Sequence, residues 1–239
     1  MSGPSAKLAT HVPRLWPAAT VAILAGGPSL SAEQAVRVRA AQLAGRCRVI
    51  AINRSVEIAP WADLLWFCDE QFYLQHRAAV EAFAGLRATL ENYALRDRLP
   101  GLWCLHNLGT GTGPEGPFFG ESYGLCNGRN SGYQALCLTA WLTGRGGTAL
   151  LLAYDMKPGP RGESHWHGGY RHRATPANTW RDVMLPGFAP LAPVLAARGL
   201  RVINVTPGSA IECFERGELA DVLGSGGDQP DQGAAALSA

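Results

Sequence analysis

The sequence predicts a single α/β domain: a three-layer, Rossmann-like, doubly wound fold with a mainly parallel sheet. The first observation is that five short segments are apolar throughout (21–25, 49–52, 64–67, 149–153 and 202–205). Strands that are covered on both faces have this composition. The second is that helical patterns follow several of these segments, an alternation typical of α/β domains. The third is the length of 239 residues, which suits one domain with a sizeable core.

The first half of the predicted domain alternates strands and helices in a regular way. After the strand at 21–25, Ser31 and Gln34 have the spacing of a capping box before a helix over 35–43. The strands at 49–52 and 64–67 follow, and a second helix is predicted from Asp69 to Phe83. Residues 102–105 are a weaker candidate for a further strand.

The second half continues this alternation. Ser131 and Gln134 repeat the capping-box spacing before an almost wholly apolar segment, 135–142, which predicts a buried helix. After the strand at 149–153, another helix is predicted to begin near Ala189, with prolines in its first turn, and to end at Gly199. It leads to the strand at 202–205.

The predicted domain spans residues 19–223. Residues 1–18 contain prolines and are predicted to be a loose lead-in, and residues 224–239 a flexible tail rich in Gly, Asp, Gln and Ala. The tail lacks the bulky apolar side chains whose burial would offset the entropy cost of ordering it.

Composition and charge exclude several classes of protein. The net charge is +2, and no dense block of Lys and Arg is present, so a nucleic-acid partner is not indicated. No apolar run approaches the roughly 18–20 residues of a membrane span, and the first residues lack the apolar core of a secretion signal. The six cysteines are scattered, without a CxxC pair, which favours reduced thiols and a cytoplasmic protein.

Polar residues follow the predicted strands at the point where each strand ends. Asn53, Asp69 and Asp155 follow three of them, and a glycine-bearing loop follows the first. In an open parallel sheet the carboxyl ends of the strands face one common crevice, where ligands bind. The sequence therefore predicts a ligand site at this edge, independently of any family.

The loop after the first strand has two interpretations. Gly26, Gly27, Pro28 and Ser29 connect a strand to a helix, and glycines allow backbone N–H groups to approach an anion at a helix N-terminus. The loop matches neither GxGxxG nor a Walker motif, so an ordinary tight turn explains it equally well.

The other strand-end and helix-start residues also have two interpretations each. Asn130, Ser131 and Gly132 open the buried helix: Ser131 is explained as its N-cap and Gly132 by close packing, or they present N–H donors to the crevice. Asn53 either bonds a ribose or base edge or caps a short helical turn. Asp69 and Asp155 either hold a divalent cation, orient a histidine or cap a helix.

A histidine-rich stretch lies in 156–179, which with 107–128 is one of two long segments without a helical or strand pattern. Such segments in a compact domain are usually lids or binding loops. In an extended chain His165 and His167 share a face, which suits metal ligation completed by Asp155 or His172. Alternatively one imidazole is a general base near neutral pH, or the loop is merely solvated.

Several motifs resemble known families. The segment VAILAGGPSL is similar to the first strand and loop of sialyltransferases and related domains, in which a Gly-Pro-Ser loop meets a nucleotide phosphate. Together with VIAINRSVEIAPWADLLWFCD, NSGYQALCLTAWL, LLLAYDM, HWHG and VINVTPGSAIECF, it resembles a family of uncharacterised phage and prophage proteins over roughly residues 21–223. The same loop is found in archaeal 6-hydroxymethylpterin pyrophosphokinase-like proteins.

The resemblance implies a nucleotide-sugar-dependent transferase in the cytoplasm of the host cell. A CMP-linked donor is favoured, with Gly26, Gly27, Pro28 and Ser29 on its phosphate. By the same resemblance, Asn53 and the Asn130–Gly132 turn contact the nucleotide. A histidine of the late loop (His165, His167 or His172) deprotonates an acceptor hydroxyl that the sequence does not identify. Two alternatives stay open: a Mg²⁺-dependent pyrophosphokinase-like enzyme with Asp69 and Asp155 around the cation, and a non-catalytic phage accessory protein with a decayed site.

Overall fold

A computed structural model of the chain describes residues 9–111, 123–168, 176 and 178–224. Its centre is a nine-stranded, wholly parallel sheet with helices on both faces, which confirms the predicted fold class. The strands are β1 (Thr20–Leu24), β2 (Arg48–Ile52), β3 (Leu64–Trp66), β4 (Leu86–Leu90), β5 (Leu102–Asn107), β6 (Gly124–Leu125), β7 (Thr148–Leu152), β8 (Arg201–Asn204) and β9 (Glu215–Arg216). The helices are α1 (Ala32–Leu43), α2 (Glu70–Ala82), α3 (Tyr93–Arg98), α4 (Ser131–Thr143), α5 (Phe188–Ala197) and α6 (Leu219–Leu223).

The order of the strands places a topological switch point at the centre of the sheet. The order is β6-β5-β4-β3-β2-β1-β7-β8-β9, so the chain builds outward from β1 and then returns to add β7 on its other side. Ile23 of β1 pairs with Ile50 of β2 and with Leu151 of β7. Because the connections leave β1 and β7 in opposite directions, a crevice opens beyond their carboxyl ends.

The strands separate two apolar cores because successive side chains point to opposite faces of the sheet. In β1, Val21 and Ile23 pack in the core that contains α4 and α5, and Ala22 and Leu24 pack in the core that contains α1 and α2. All four side chains are fully buried, which explains why the run is apolar without alternation.

The helices begin and end largely as the sequence predicts. Ser31 and Gln34 form the predicted capping box at α1, and Gly199, with a φ of +80°, follows α5. Pro193 lies inside α5 instead of in its first turn, because that helix begins at Phe188 after irregular turns from Trp180. No helix in the described part of the chain has the length and apolarity needed to cross a bilayer.

Five elements were not predicted, and each lacks a clear pattern. β4 contains Arg87 and Thr89, which interrupt its apolar run. The others are short: α3 has six residues, α6 has five, and β6 and β9 have two each. Elements this short carry too few residues for a periodicity to be recognised.

Residues 9–18 are packed against the domain and are not the loose lead-in that their prolines predicted. The side chains of Val12 and Trp16 are buried in the α4–α5 core. The backbone N–H of Thr10 donates to Cys104 O at 2.8 Å, and that of Trp16 donates to Leu142 O at 3.1 Å. Residues 1–8 and the predicted tail beyond Gly224 lie outside the described residues.

Candidate functional site

A cavity of about 400 Å³ lies beyond the carboxyl ends of β1, β2, β3 and β7, at the switch point of the sheet. This volume is in the range of small-molecule sites. All of the predicted site residues except Ser29 and His167 line it: Gly26, Gly27, Pro28, Asn53, Asp69, Asn130, Ser131, Gly132, Asp155 and His165. The structure therefore brings these residues together around one cavity, and their chemical roles stay predictions.

One group of lining residues consists of Gly27, Ala153 and Asp155. Together with Ser29, which does not line the cavity but bonds Asp155, we call it the closed wall. Ser29 Oγ donates to Asp155 Oδ2 at 2.9 Å, and the N–H of Gly27 donates to Ala153 O at 3.1 Å. A Cβ at position 27 would lie 2.0 Å from Asp155 Oδ2 and 2.4 Å from Ala153 O. Gly27 is therefore required by the contact between the first loop and the end of β7.

Asp155 is a buried carboxyl group, with 6% of its surface exposed. Burial raises its pKa, and the hydrogen bonds from the Ser29 hydroxyl and N–H oppose that rise by stabilising the carboxylate. Gly26, by contrast, has room for a side chain, since its nearest neighbour would be His165 Cδ2 at 3.4 Å. Of the two glycines in this loop, only Gly27 packs so closely against Asp155 that a side chain would not fit.

A second group of lining residues, which we call the open wall, consists of Asn53, Arg129, Ser131 and Gly132. The N-cap of α4 is Asn130, whose Oδ1 accepts from Tyr133 N at 2.8 Å, so the predicted N-cap role of Ser131 is wrong by one residue. The predicted capping box is also absent. Its acceptor would be Gln134 Oε1, which instead accepts from Trp66 Nε1 at 3.2 Å and from Cys68 Sγ at 2.9 Å. The N–H groups of Ser131 and Gly132 consequently have no acceptor among the described residues.

Close packing explains why position 132 is a glycine, which is one of the two interpretations given for it above. A Cβ there would lie 2.8 Å from Tyr154 Cε1. The Tyr154 hydroxyl, fully buried, donates to Gly132 O at 3.0 Å. This contact ties the start of α4 to the end of β7, and Gly132 itself lines the cavity.

Asn53 and Asp69 were each predicted either to cap a helix or to bind a ligand, and the structure treats them differently. Asp69 caps α2, with Oδ1 accepting from Gln71 N at 2.8 Å, although its exposed side chain also lines the cavity. Asn53 begins the 3-10 turn Asn53–Glu57 but makes no capping hydrogen bond, so that interpretation of it is wrong. Its Oδ1 is buried without a hydrogen-bond partner among the described residues.

Two cations that sequence reasoning missed also line the cavity. Arg129 and Lys157 are exposed at the surface, and neither forms an ion pair within the described ranges. A cation just before a helix start was the available signal for Arg129, but isolated cations in loops are usually solvated. Other lining residues missed from the sequence are Cys68, Phe72, Gln134, Met156, Thr179, Trp180 and Met184.

Left-handed backbone conformations concentrate at the cavity. Asn53, Arg129, Ala153 and Met156 have φ values of +51°, +58°, +57° and +52°, and all four line it. Elsewhere in the described residues, Ala18 and Glu91 alone among non-glycine residues share this conformation. Such strain collects where a site imposes its geometry on the backbone.

The histidine segment docks onto the first loop. The N–H of Trp166 donates to Gly26 O at 3.3 Å, which brings His165 to the cavity with Nδ1 at 2.8 Å from Ser164 Oγ. Burial lowers the pKa of His165, and the charge of Arg54 lowers it further, so the neutral imidazole is favoured.

His167 stacks on His165, but the segment is a turn and not the extended chain of the prediction, since the N–H of Gly168 donates to His165 O at 3.2 Å. The two ring centroids are 4.9 Å apart with planes at 20°. Metal ligation by His165, His167 and Asp155 is not supported, because within the described part of the chain no three His, Cys, Asp or Glu side chains are placed to hold a metal ion. His172 lies outside the described residues.

Trp166 does not fill the cavity. Its side chain packs against the α1–α2 core. A decayed site would be expected to have its pocket plugged by an aromatic side chain such as Trp166 or Phe119, and Phe119 lies outside the described residues. A scan against protein-family models finds no match to this chain. A search of curated proteins finds none either.

Proposed function

We propose that this protein is a nucleotide-sugar-dependent transferase, similar to sialyltransferases, that moves a sugar from a nucleotide donor to an acceptor hydroxyl. One observation carries the proposal. A single cavity combines unpartnered helix-start N–H groups and cations with a half-buried imidazole. The first set suits an anionic leaving group and the second suits removal of a proton from a hydroxyl.

The open wall is the proposed site of the donor phosphate. The N–H groups of Ser131 and Gly132 begin α4, a helix of thirteen residues, so the positive end of its dipole favours an anion there. Arg129 and Lys157 add two positive charges at the cavity surface. A CMP-linked donor is favoured by resemblance, with Asn53 bonding the nucleoside through its unpartnered amide oxygen.

His165 is the proposed general base. It accepts the proton of the acceptor hydroxyl as that oxygen forms a bond to the anomeric carbon of the donor sugar. The bond from this carbon to the phosphate oxygen breaks, and its electron pair remains on the nucleotide phosphate. The open wall stabilises the charge that develops on the phosphate, which is the kind of interaction that usually contributes most to catalysis.

Two further observations support an active cytoplasmic protein over a decayed site. Trp166 packs against the α1–α2 core and does not line the cavity, so it does not plug it. All six cysteines are free thiols, four of them fully buried, which suits a reducing compartment. A phage origin remains a proposal that rests on the resemblance alone.

A second candidate function is a Mg²⁺-dependent pyrophosphokinase-like enzyme. The observation in its favour is that Asp69 and Asp155 both line the cavity and both follow strands. Asp69 Oδ1 accepts from Gln71 N, and Asp155 Oδ2 accepts from Ser29 N and Ser29 Oγ, so a cation would bind through the other oxygen of each carboxylate. In this case nucleotide binding requires the divalent cation.

The two candidates are separated by calorimetric titration of CMP, UMP, a CMP-sugar and ATP, each in EDTA and in Mg²⁺. The transferase predicts binding of a CMP nucleotide that persists in EDTA. Binding of ATP alone, and only with Mg²⁺, would favour the second candidate. No binding of any of these nucleotides at millimolar concentration would contradict both.

Variants of the two cavity cations test where the phosphate binds. Arg129→Met and Lys157→Met should each weaken CMP binding about tenfold, the effect of losing one charge-assisted contact. Arg161→Met is the matched control, because Arg161 is an exposed loop cation that pairs with Glu163 and does not line the cavity. Equal affinities in all three variants would place the phosphate elsewhere.

A further inference from the structure

A chain of polar contacts extends behind the proposed base and was not predicted from the sequence. Arg54 is on the 3-10 turn after β2, and its Nη1 lies 3.0 Å from His167 Nδ1. The same guanidinium donates through Nε and Nη2 to both carboxylate oxygens of Glu57, each at 2.8 Å. His167 in turn stacks on His165.

The direction of the Arg54–His167 hydrogen bond follows from chemistry. A guanidinium has only donors and stays charged at any pH at which proteins fold. His167 Nδ1 must therefore be the acceptor, so this ring is neutral and carries its proton on Nε2. The contact selects one of the two tautomers of His167.

Arg54 is itself held from two directions. Its bidentate pair with Glu57 has the fork geometry that gives such contacts orientation as well as strength. The turn that carries both residues is attached to the end of β1 by Ser55, whose buried hydroxyl donates to Ala25 O at 2.9 Å. The position of the guanidinium is thus set by the same sheet edge that forms the cavity.

We propose that Arg54, clamped by Glu57, is a positioning residue for the candidate base: it fixes the tautomer of His167 and thereby the ring against which His165 stacks at the cavity. This inference rests on the proposed function for the meaning of His165, but its geometry can be tested without any activity. The charged and titratable groups around these rings are Arg54 and Glu57 on the turn, His76 on α2, at 3.2 Å from Glu57, and Asp155, which lines the same cavity as His165.

The first test is ¹⁵N NMR of the histidine rings in the full chain without ligand. Signals are assigned with His165→Gln and His167→Gln. The expected result at neutral pH is that His167 Nδ1 is unprotonated and Nε2 protonated. A wild-type His167 that is protonated on Nδ1 would overturn the proposal without any variant of Arg54.

The second test follows the His165 and His167 signals through a pH titration of Arg54→Met, Arg54→Lys and Glu57→Gln. Arg54→Met should give a mixture of His167 tautomers and raise the titration midpoint of His165, since a nearby positive charge is lost. Arg54→Lys should restore the tautomer because lysine also only donates. Glu57→Gln should loosen the clamp while retaining the charge of Arg54, giving a smaller change in the His167 signals.

The same NMR experiments include a control variant, and their outcome can be distinguished from a failure of the proposed transferase function. Arg37→Met removes an exposed cation of similar type, paired with Glu33 on α1, and should leave both histidine signals unchanged. Unchanged histidine signals in Arg54→Met would overturn the proposal. Failure of CMP to bind wild-type protein with the expected tautomer present would instead count against the transferase alone.

Discussion

The closed and open walls of the cavity are built from the same kinds of residue but differ in where their polar groups are bonded. On the closed wall Ser29 and Asp155 bond each other, and the N–H of Gly27 bonds Ala153 O. On the open wall Asn53 Oδ1 and the N–H groups of Ser131 and Gly132 have no partner among the described residues. The first arrangement joins the first loop to the end of β7, and the second leaves polar groups that the proposed ligand would satisfy.

Buried polar groups in proteins are almost always hydrogen-bonded. The closed wall follows this rule and the open wall departs from it. A wall whose groups are satisfied by the protein resists change and contributes to stability. A wall with unsatisfied donors and acceptors contributes little until a ligand supplies the missing partners. Substitutions on the closed wall should therefore change stability, and those on the open wall should change ligand binding.

The largest expected effect is at Gly27. Gly27→Ala places a Cβ 2.0 Å from Asp155 Oδ2 and 2.4 Å from the Ala153 carbonyl, so the loop and the end of β7 must separate. We expect the free energy of unfolding to fall by about 2–4 kcal/mol, measured by urea denaturation. Gly26→Ala is the matched control and should change it by less than about 0.5 kcal/mol. Equal losses at both positions would remove the distinction between them.

A smaller loss of stability is expected at the start of α4. Asn130→Ala removes the N-cap bond to Tyr133 N and should cost about 1 kcal/mol of unfolding free energy. Ser131→Ala should cost less than about 0.5 kcal/mol, because the Ser131 hydroxyl does not cap the helix. The comparison uses thermal and urea unfolding of both variants. A larger cost at Ser131 would restore the capping box that the sequence predicted.

These two positions show what a sequence pattern can and cannot resolve. Apolar runs predicted β1, β2, β3, β7 and β8 because strands buried on both faces need such side chains. The capping box at Ser31 was correct, but at α4 two adjacent residues can both cap, and spacing alone does not distinguish Asn130 from Ser131. β4 was missed because Arg87 and Thr89 interrupt a strand whose burial depends on tertiary contacts.

The candidate site could also be predicted only in part: its strand-end residues were expected, but its cations were not. The carboxyl ends of parallel strands share an edge, so Asn53, Asp69 and Asp155 were expected near one another. Arg129 and Lys157 were not expected, because nothing local distinguishes a cation at a cavity from one in solvent. The chain from His165 to Arg54 depends on the Trp166–Gly26 hydrogen bond, a contact between distant segments that no periodicity encodes.

A substitution at Asn53 should separate stability from binding on the open wall. Asn53→Gly keeps the left-handed backbone, with φ at +51°, without strain, and it deletes an amide oxygen that no described residue uses. We expect the unfolding free energy to change by less than about 0.5 kcal/mol while CMP affinity falls about fivefold to tenfold. Calorimetric titration and urea denaturation of the same sample measure both. A loss of stability with unchanged affinity would make Asn53 part of the closed wall.

The smallest expected effect is a pH dependence at Asp155. Because burial raises its folded pKa above the ordinary 3.8, the folded state binds this proton more tightly than the unfolded state. The resulting stability is fully present below pH 3.8 and is lost as the pH rises through the folded pKa. Asp155→Asn cannot titrate, so wild type should be more stable relative to this variant at about pH 4 than at pH 7.

The control for this last prediction has the opposite sign. The hydrogen bond from Arg181 lowers the pKa of Asp182 at the surface, so its contribution is present above the unfolded pKa and is lost as the pH falls through the folded one. Wild type should therefore lose stability relative to Asp182→Asn on acidification, and screening by solvent should keep that change small. Urea denaturation of the three proteins at both pH values measures the two trends. If wild type loses stability on acidification relative to both variants, then the pKa of Asp155 is lowered in the folded state. Burial would then not raise the pKa of the closed-wall carboxyl group, and the prediction would be wrong.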